Sequence, residues 1–511
     1  MPGVITRGRN VTEHLAPPVA VIDVGSNSVR LVVFDNARRV SVPVFNEKVL
    51  CGLGRGIDAT GRLDPDGVDM ALAALQRFSV LTQEMGVEDV TAVATAAVRE
   101  AEDGRDFIAA VERHCGLEVR TIPGEEEARL SALGVLSAAP EADGLVGDLG
   151  GASFEVVHVR AGVLLEQATL PIGPIRLANQ ENMDRTKALQ TIDAHLARTD
   201  WLKTVEGDTF YAVGGAWRAF ARVHMNATDY PLLVAHHYEI DSGEALDFAR
   251  RIASGDDDKL DKYYSGVSKK RVGTLPFASL LMGRVIELSG VSRVVISAYG
   301  LREGCLFDRL PEDIQAEDPL IEACRNLGWM TGRVTVDGEA LYHWMGPAFP
   351  DENEHEKRLR RAACLLADLE WSEHPDYRAE HALLRILRYP MVGVDHPGRA
   401  FMGLAVSSRH AQVRPQLYER FLKPLLGDAE AKRARAIGLA MRLAYTLSGG
   451  VISLLEETHI RREGDILIFE LPESADVLVG DVVQRRFRAL AKIMECEPQF
   501  SFVKPRQQAS G

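Results

Sequence analysis

Strand-like and helix-like patterns of apolar residues alternate along the chain from residue 19 to about residue 307. Short β-branched runs at residues 19–22 and 90–94 predict buried strands. Apolar residues spaced along one face of a helix predict helices over residues 67–85 and 125–136. Strands that alternate with helices in this way are typical of an α/β fold.

The pattern changes after about residue 310, where strand signals thin out and amphipathic helices take over. Pro311, Glu312 and Asp313 interrupt both patterns, so we expect a domain boundary between residues 308 and 318. Beyond this boundary we predict a mainly helical domain with a few late strands. The helical patterns cover residues 356–369, 379–387 and 429–447, and the strand patterns cover residues 465–471 and 477–483.

The length of 511 residues is too great for one hydrophobic core and allows about three domains of ordinary size. We predict two α/β domains over residues 19–138 and 139–310, followed by the helical domain over residues 311–511. Residues 1–18 contain several charged side chains but no apolar signal-peptide segment, so they are predicted to be a disordered lead-in.

Composition narrows the possible environments and partners. The net charge of −14 argues against nonspecific binding to nucleic acid or to an anionic membrane, so a polyanion must bind in a local basic groove. The six cysteines form no CxxC pair, which argues against disulfides and zinc and favours a cytoplasmic location. No window approaches the roughly 18 apolar residues of a membrane span, so we expect none.

An internal repeat carries the first chemical signal, because VIDVGSNSVRLVVF from Val21 is echoed 125 residues later by VGDLGGASFEVVHV from Val146. Each copy predicts a strand ending in an acid, a tight turn and a returning strand. Glycine allows close approach of a phosphate to the backbone, where N–H groups and a serine hydroxyl face the anion. A single such turn is also explained as an Asx turn, whereas two copies favour two phosphate-binding hairpins across a cleft. The matched pairs are Asp23 and Asp148, Gly25 and Gly150, Ser28 and Ser153, and Arg30 and Glu155.

Six segments support a family resemblance over residues 19–307. They are IDVGSNS from Ile22, ATAAVREA from Ala94, PGEEEAR from Pro123, DLGGASFE from Asp148, VGGA from Val213 and SAYGLREG from Ser297. These segments resemble the exopolyphosphatase and guanosine pentaphosphate phosphatase (Ppx/GppA) family. The chain departs from the family at Ala152, where a third glycine is usual, and at Gly215-Ala216, where glycine-serine or glycine-threonine is usual. The resemblance implies two actin-like domains of the sugar kinase, Hsp70 and actin superfold.

The resemblance implies that Glu127 is the general base that orients and deprotonates a water molecule. Glu127 opens a predicted helix, and a helix N-terminus favours an ionised carboxylate, so we expect no unusual pKa. On the residues alone, Glu125, Glu126 and Glu127 all satisfy the preference for acids in a first helical turn. Only the surrounding motifs select Glu127 among the three.

Phosphate and metal contacts are implied in the same way. The residues implied to bind phosphate are Gly25, Ser26, Asn27, Ser28, Arg99, Gly150, Gly151, Ala152, Ser153, Gly214, Gly215, Ala216 and Arg271. Asp148, Glu155 and Asp23 are expected to approach one Mg²⁺ in the cleft. Two alternatives stay open, in which Asp148 caps its own turn or Glu155 forms a salt bridge with Arg30. Arg302 serves either substrate binding or helix capping.

The activity implied is that of an exopolyphosphatase, which uses Mg²⁺ and releases terminal orthophosphate from inorganic polyphosphate. The first alternative is a guanosine pentaphosphate 5′-phosphohydrolase, from which no residue in this chain separates it. A noncatalytic sensor of polyphosphate or nucleotide is a second alternative, and a sugar kinase is a third. The resemblance further implies a homodimer, and it adds a monovalent cation such as K⁺ as a candidate second ion.

The C-terminal domain carries two weaker signals. Residues 360–368, followed by His374 and His381, resemble the helices of HD phosphohydrolases, but Ala367 stands where the histidine ligand before Asp368 belongs. We therefore predict a degenerate HD-like domain without a second metal site. Four basic clusters, each also explained as a solvated helix face, suggest together a channel for a long polyanion. They lie at residues 357–361, 432–435, 461–462 and 485–488.

Overall fold

A computed structural model describes residues 17–503 except 180–183, 206, 208, 256–257 and 332–336. Residues 1–16 of the predicted lead-in lie outside the described residues. The chain divides into two compact units, Met1–Pro319 and Leu320–Gly511. The first unit is built around two sheets, and we refer to each sheet with its covering helices as a lobe.

The first lobe contains a five-stranded sheet with the order β3-β2-β1-β4-β5. Strand β1 runs antiparallel to β2 and parallel to β4. Its side chains alternate between two cores, since Ile22 packs with the helices on one face and Val21 packs with those on the other. The elements are β1 Val19–Val24, β2 Val29–Phe34, β3 Pro43–Val49, α1 Ile57–Thr60, α2 Pro65–Glu84, β4 Asp89–Ala94, α3 Ala96–Glu100, α4 Gly104–Cys115 and β5 Val119–Thr121.

The second lobe contains a six-stranded sheet with the order β10-β11-β9-β6-β7-β8. Strand β6 runs antiparallel to β7 and parallel to β9, which repeats the arrangement around β1. The elements from the helix between the lobes onward are α5 Gly124–Ala138, β6 Gly144–Leu149, β7 Phe154–Arg160, β8 Val163–Leu170, α6 Pro174–Asn179, α7 Arg185–Leu196, β9 Thr209–Gly214, α8 Gly215–Ala227, β10 Tyr238–Asp241, α9 Ser242–Ser254, α10 Lys269–Ser289, β11 Arg293–Ser297, α11 Leu301–Phe307 and α12 Glu312–Gln315.

Helix α5 belongs to the cores of both lobes. Leu130 packs with β1 and α11 of the first core, whereas Ala132 packs with β6 and β7 of the second. Helix α11 crosses α5 at very short range, because a Cβ built at Gly304 would lie 1.8 Å from the Leu130 carbonyl oxygen. The chain therefore returns to the first lobe after β11, inside the range 139–310 assigned from the sequence to the second domain.

Helix α10 is the one helix in the described part of the chain that is long and apolar enough to cross a membrane, by length and composition alone. Its residues Leu275, Met282 and Val285 are buried in the core of the second lobe. A buried core helix passes the same test of length and composition, so α10 is weak evidence for a span.

The second unit is mainly helical, with one three-stranded sheet of order β12-β13-β14. The late strand predicted over residues 465–471 is present as β13. The strand predicted over residues 477–483 is wrong, because 3₁₀-helix ends at Leu478 and helix α21 starts at Asp481. The elements are α13 Pro319–Thr331, α14 Gly338–Met345, α15 Glu354–Leu365, α16 Arg378–Arg388, α17 His396–His410, α18 Pro415–Leu417, α19 Asp428–Ser448, α20 Ile452–Glu456, β12 His459–Glu463, β13 Ile466–Pro472, α21 Asp481–Ile493 and β14 Glu497–Val503.

Candidate active site

The two copies of the sequence repeat form two hairpins with the same turn. The Gly25 N–H donates to the Ser28 carbonyl oxygen at 3.0 Å, and the Gly150 N–H donates to that of Ser153 at 3.0 Å. The acid near the end of each first strand lies directly across from Arg30 in one hairpin and from Glu155 in the other. The hairpins predicted from the repeat are therefore confirmed as local structure.

The turns of the two hairpins approach each other across the cleft between the lobes. A Cβ built at Gly151 would lie 3.6 Å from the Cβ of Asn27. Helix α5 begins beside the second hairpin, because a Cβ at Gly124 would lie 2.6 Å from the Thr169 hydroxyl on β8. Backbone N–H groups of both turns and the first turn of α5 are thus brought to one place.

Glu127 occupies the first turn of α5, where its side chain is buried. The Arg99 Nη1 group donates to the Glu127 carboxylate at 2.9 Å and to the Ile122 carbonyl oxygen at 3.0 Å. Burial raises the pKa of Glu127 to about 7, against the lowering effect of Arg99. The expectation that the pKa of Glu127 is ordinary was wrong, because burial and the neighbouring Asp148 outweigh the effect of Arg99.

Two further carboxylates lie beside Glu127 on the second hairpin. The Ser131 hydroxyl donates to Asp148 at 2.6 Å, and burial raises the pKa of Asp148. Burial and the neighbouring Glu127 carboxylate raise the pKa of Glu155 well above its ordinary value. Glu155 therefore faces Glu127, and the alternative salt bridge with Arg30 is not formed, since the Arg30 Nε group donates to Asn46 at 2.9 Å.

The acidic side of the site suits a divalent cation. Buried carboxylates that repel one another are stabilised by a bound cation, and the buried Glu155 Oε1 atom has no hydrogen-bond partner among the described residues. Within the described part of the chain, the oxygens of Asp23, Asp148 and Glu155 are not gathered within 4.8 Å of one another. A cation held by Asp148 and Glu155 would need further oxygen ligands from water or from a phosphate.

The first hairpin faces positive charge instead. Burial raises the pKa of Asp23, whereas Arg302 and Lys48 act to lower it. Lys48 lies on β3 directly across from Arg30. Partial loss of hydration and repulsion from Arg271 and Arg30 lower the pKa of Lys48, although part of its side chain stays exposed. Asp23 is therefore surrounded by cations, which weakens its assignment from the sequence as a metal ligand.

Arg218, which belongs to the second lobe, adds a further cation to those near Asp23. It lies in the first turns of α8, and burial lowers its pKa to about 10, with further lowering from Arg302 and Arg271. In the described part of the chain, no acid is found within ion-pair distance of Arg218, Arg302 or Lys48. We call these residues, together with Arg30 and Arg271, the basic cluster.

The third predicted loop follows β9. Gly214 has a φ of 115°, and a Cβ there would lie 2.5 Å from the Leu149 carbonyl oxygen, so only glycine fits this position. The Arg271 Nη1 group donates to the Gly215 carbonyl oxygen at 2.7 Å. Arg271 is thus held against Gly215, which directly precedes Ala216. The sequence places these residues in one site. Lys269 and Lys270 are exposed.

A cavity of about 710 Å³ opens beside Arg99 and Ser153. It lies between the lobes, since both contribute to its wall. The lining residues are Arg99, Glu100, Pro123, Gly124, Glu125, Ser153, Gln167, Ala168, Thr169 and Pro171. The wall therefore combines the cation of Arg99, which contacts the buried Glu127, with two exposed acids, Glu100 and Glu125.

Three contributors to the site were missed by reasoning from the sequence. Ser131 was detectable, because it lies four residues after Glu127 and therefore on the same face of the helix. Arg218 had a weaker signal, since it follows the Gly214-Gly215 loop by one helical turn. Lys48 had no signal, because its position depends on the register of β3 against β2.

In the second unit, the residue expected to correspond to the HD aspartate is already engaged. Arg409 donates to Asp368 at 2.7 Å, and both side chains are buried. His374 is exposed. These contacts give no support to an HD-like metal site around Asp368.

His381 belongs to a different group. Its Nδ1 atom lies 3.3 Å from Glu373, and the ligand atoms of Glu370, Glu373 and His381 lie within 4.8 Å of one another. Arg385 donates to Glu370 at 2.6 Å and already compensates that charge. Glu370 and Glu373 are half-buried and His381 is exposed, and exposed acidic groups are common without a metal.

Most cations of three predicted basic clusters are paired with acids. The pairs are Lys357 with Glu354, Arg360 with Glu352, Arg361 with Glu339, Lys432 with Glu495, Arg433 with Glu356, Arg461 with Glu470 and Arg462 with Asp351. Over the residues that the structure describes, Arg485 and Arg486 on α21 have no acid within ion-pair distance. The fourth cluster is therefore the main remaining candidate for a polyanion contact in this unit.

Two family models match the chain. The model described as "Ppx/GppA phosphatase family" matches residues 32–313. The model described as "Exopolyphosphatase, C-terminal" matches residues 320–501. The first match covers more than half of the chain and includes every element that contributes to the candidate active site except most of the first hairpin.

Three similar curated proteins carry different names. "Retrograde regulation protein 2" of Saccharomyces cerevisiae is 25% identical over 446 residues, covering 79% of this chain and 74% of that protein. "Exopolyphosphatase 1" of Mycobacterium tuberculosis is 27% identical over 312 residues, covering 58% and 89%. "Guanosine-5'-triphosphate,3'-diphosphate pyrophosphatase" of Aeromonas hydrophila is 24% identical over 481 residues, covering 91% and 92%.

A crystal structure of an exopolyphosphatase from Cytophaga hutchinsonii is similar in fold. The TM-score is 0.51 at 24% sequence identity, and the match covers 57% of this chain and 96% of that chain. At this identity the likeness concerns the fold alone. It agrees with the predicted α/β, actin-like architecture of the first unit.

Proposed function

The chain belongs to the Ppx/GppA phosphatase family, and we propose that it hydrolyses terminal phosphoanhydride bonds, with inorganic polyphosphate as the first candidate substrate. The observation that carries this proposal is the buried Glu127, held by Arg99 at 2.9 Å beside the turns of two facing hairpins. Such a carboxylate is placed to activate water next to a bound phosphate.

In the proposed reaction, the terminal phosphoryl group lies against the N–H groups of the two turns, near Gly25 and Gly150. Glu127 accepts a proton from the attacking water as its oxygen bonds to phosphorus. The phosphoanhydride bond to the next phosphate breaks, which releases orthophosphate and leaves a chain shorter by one unit. Arg99 fixes the direction of the Glu127 carboxylate during this step.

Asp148 and Glu155 would hold a divalent cation, which supplies charge neutralisation at the phosphate oxygens when bound. We propose Mg²⁺ as this ion. The basic cluster would hold the phosphates that follow the terminal one, since its cations are short of acid partners among the described residues. A local excess of positive charge explains how a chain of net charge −14 binds a polyanion.

Guanosine pentaphosphate is the second candidate substrate. The similarity to the Aeromonas hydrophila protein covers 91% of the chain and therefore includes the second unit. The similarity to exopolyphosphatase 1 covers only 58%. A regulatory role without catalysis is a third candidate, because "Retrograde regulation protein 2" also covers 79% of the chain.

The test is phosphate release from long-chain polyphosphate and, separately, from guanosine pentaphosphate, in the presence of Mg²⁺. We expect Glu127→Gln to lower kcat by about two to four orders of magnitude with binding retained. Glu126→Gln is the matched control, because Glu126 lies in the same helical turn, pairs with Arg129 and is not among the residues that line the cavity. The faster substrate identifies the enzyme, and release from neither by the wild type would favour the regulatory role.

Other features of the protein are proposed on less direct support. The six cysteines are all buried and free, which suits the proposed cytoplasmic location. The family resemblance supports a homodimer. For the second unit we propose a degenerate HD-like arrangement, in which Ala367 and the pair of Asp368 with Arg409 leave no second metal site.

A further inference from the structure

Helix α6 is tied to the turn of the second hairpin. The Ile175 N–H donates to the Gly151 carbonyl oxygen at 2.9 Å, and the Arg176 N–H approaches the same oxygen at 3.3 Å. The Gly173 N–H donates to the Ala152 carbonyl oxygen at 2.9 Å. A displacement of this turn therefore carries the start of α6, and Arg176 with it.

The Arg176 side chain crosses from the second lobe to the first. It is buried, with a side-chain exposure of 7%, and its Nη2 group donates to Glu100. Its Nε atom lies 3.2 Å from the Asp58 carboxylate. Asp58 lies on α1 and Glu100 ends α3, so one guanidinium connects the second lobe to two helices of the first.

Glu100 directly follows Arg99, the residue that donates to Glu127. A continuous set of contacts thus runs from the Gly151 turn through Arg176 and Glu100 to Arg99 and Glu127. The two ends of this set are the proposed phosphate-binding turn in the second lobe and the proposed base on helix α5, which packs in the cores of both lobes. Their separation decides whether an activated water lies in line with the phosphorus atom.

We infer that Arg176 is a positioning residue for hydrolysis. Its ion pairs with Glu100 and Asp58 set the distance between the second phosphate-binding turn and Glu127. The expected effect on the rate rests on the proposed function, whereas the expected effect on the separation of the lobes rests on the contacts alone. Loss of Arg176 removes both contacts between the lobes, and loss of Glu100 leaves the buried guanidinium with Asp58 at 3.2 Å, so in both cases the separation of the lobes is held by fewer ion pairs.

The kinetic test compares Arg176→Gln, Glu100→Gln and the double variant. We expect each single variant to lower kcat about 100-fold with KM changed far less, because a shift of about 1 Å in alignment has this effect. The double variant is expected to be no slower than Arg176→Gln, since Arg176→Gln already removes the contact with Glu100. Arg176→Lys keeps the charge and is expected to recover much of the rate.

Arg309→Gln is the matched control, because Arg309 pairs with Asp89 within the first unit and away from the proposed site. Its rate should stay near that of the wild type. Single variants that keep the wild-type kcat, or a double variant whose loss is the product of the two single losses, would overturn the inference.

A second measurement does not depend on activity. Spin labels on cysteines introduced at the exposed Glu112 of α4 and Asp247 of α9 report the distance between the lobes, since the six native cysteines are buried. We expect Arg176→Gln to broaden or lengthen this distance and Arg309→Gln to leave it unchanged. An unchanged distribution in Arg176→Gln overturns the inference. Absence of phosphate release by the wild type would instead refute the proposed function, and the distance measurement would still decide the role of Arg176.

Discussion

The two hairpins have the same backbone and opposite surroundings. Both close with a glycine N–H bonded to a serine carbonyl at 3.0 Å, and both carry an aspartate as the second-to-last residue of the first strand. Across from Asp23 lies Arg30, with Lys48 and Arg302 nearby. Across from Asp148 lies Glu155, with Glu127 nearby. Arg218 and Arg302 also act to lower the pKa of Asp148. The first hairpin therefore faces mainly cations, whereas the second faces carboxylates as well as cations.

This difference teaches that a repeated turn specifies where backbone N–H groups face, which we propose is toward phosphate, but does not specify the charge beside them. The turn supplies N–H groups in both lobes, whereas the side chain across from the aspartate decides the local charge. The first hairpin suits the anionic chain of a substrate. The second suits a cation and a water-activating base.

The largest effect on the rate is expected from a substitution in the second hairpin, which carries Asp148 and Glu155. Glu155→Gln removes one proposed metal ligand, so we expect kcat to fall by about 100-fold or more. The Mg²⁺ concentration for half-maximal rate should rise, as measured by titrating the ion at saturating substrate. Asp23→Asn is the matched change in the other hairpin, and it should leave that concentration nearly unchanged. An equal shift in both variants would show that the hairpins share the metal.

The rate should also depend on pH, because Glu127 lies beside the carboxylates of the second hairpin. Glu127 must be ionised to accept a proton, and its pKa in the folded protein is raised to about 7. Since the ionised fraction falls below this pKa, kcat/KM should drop about tenfold per pH unit on the acid side of pH 7. Measuring kcat/KM from about pH 5 to about pH 9, a range that spans this pKa, checks this prediction. If kcat/KM began to fall only near the ordinary pKa of glutamate, the claim that burial raises the pKa of Glu127 would be contradicted.

A smaller effect on the kinetic constants is expected from a substitution in the first hairpin, which carries Asp23 and Arg30. Arg30→Gln removes one charge from the basic cluster, and we expect KM to rise about tenfold while kcat changes little, because charged hydrogen bonds contribute about 1.5 to 3 kcal/mol. Arg250→Gln, which removes a surface charge on α9, is the control. A fall in kcat without a change in KM would place Arg30 in the chemical step instead.

The local structure of the site was largely readable from the sequence. The repeat predicted both hairpins, and the motif around Glu127 predicted the helix that carries it. The burial that raises the Glu127 pKa was not readable, since it arises from packing of both lobes on α5. Lys48 and Arg176 were missed for a related reason, because strand register and contacts between lobes connect residues that no local pattern links.

Helix α5 has a consequence for dissecting the protein into fragments. Its Leu130 face is part of one core and its Ala132 face is part of the other, and α11 returns to cover it. A fragment ending at residue 138 would lack α11 and the second sheet, and one starting at residue 139 would expose the apolar face that α5 covers. Neither lobe is therefore expected to be recoverable as a soluble recombinant product, and truncation experiments would report on misfolding rather than on function.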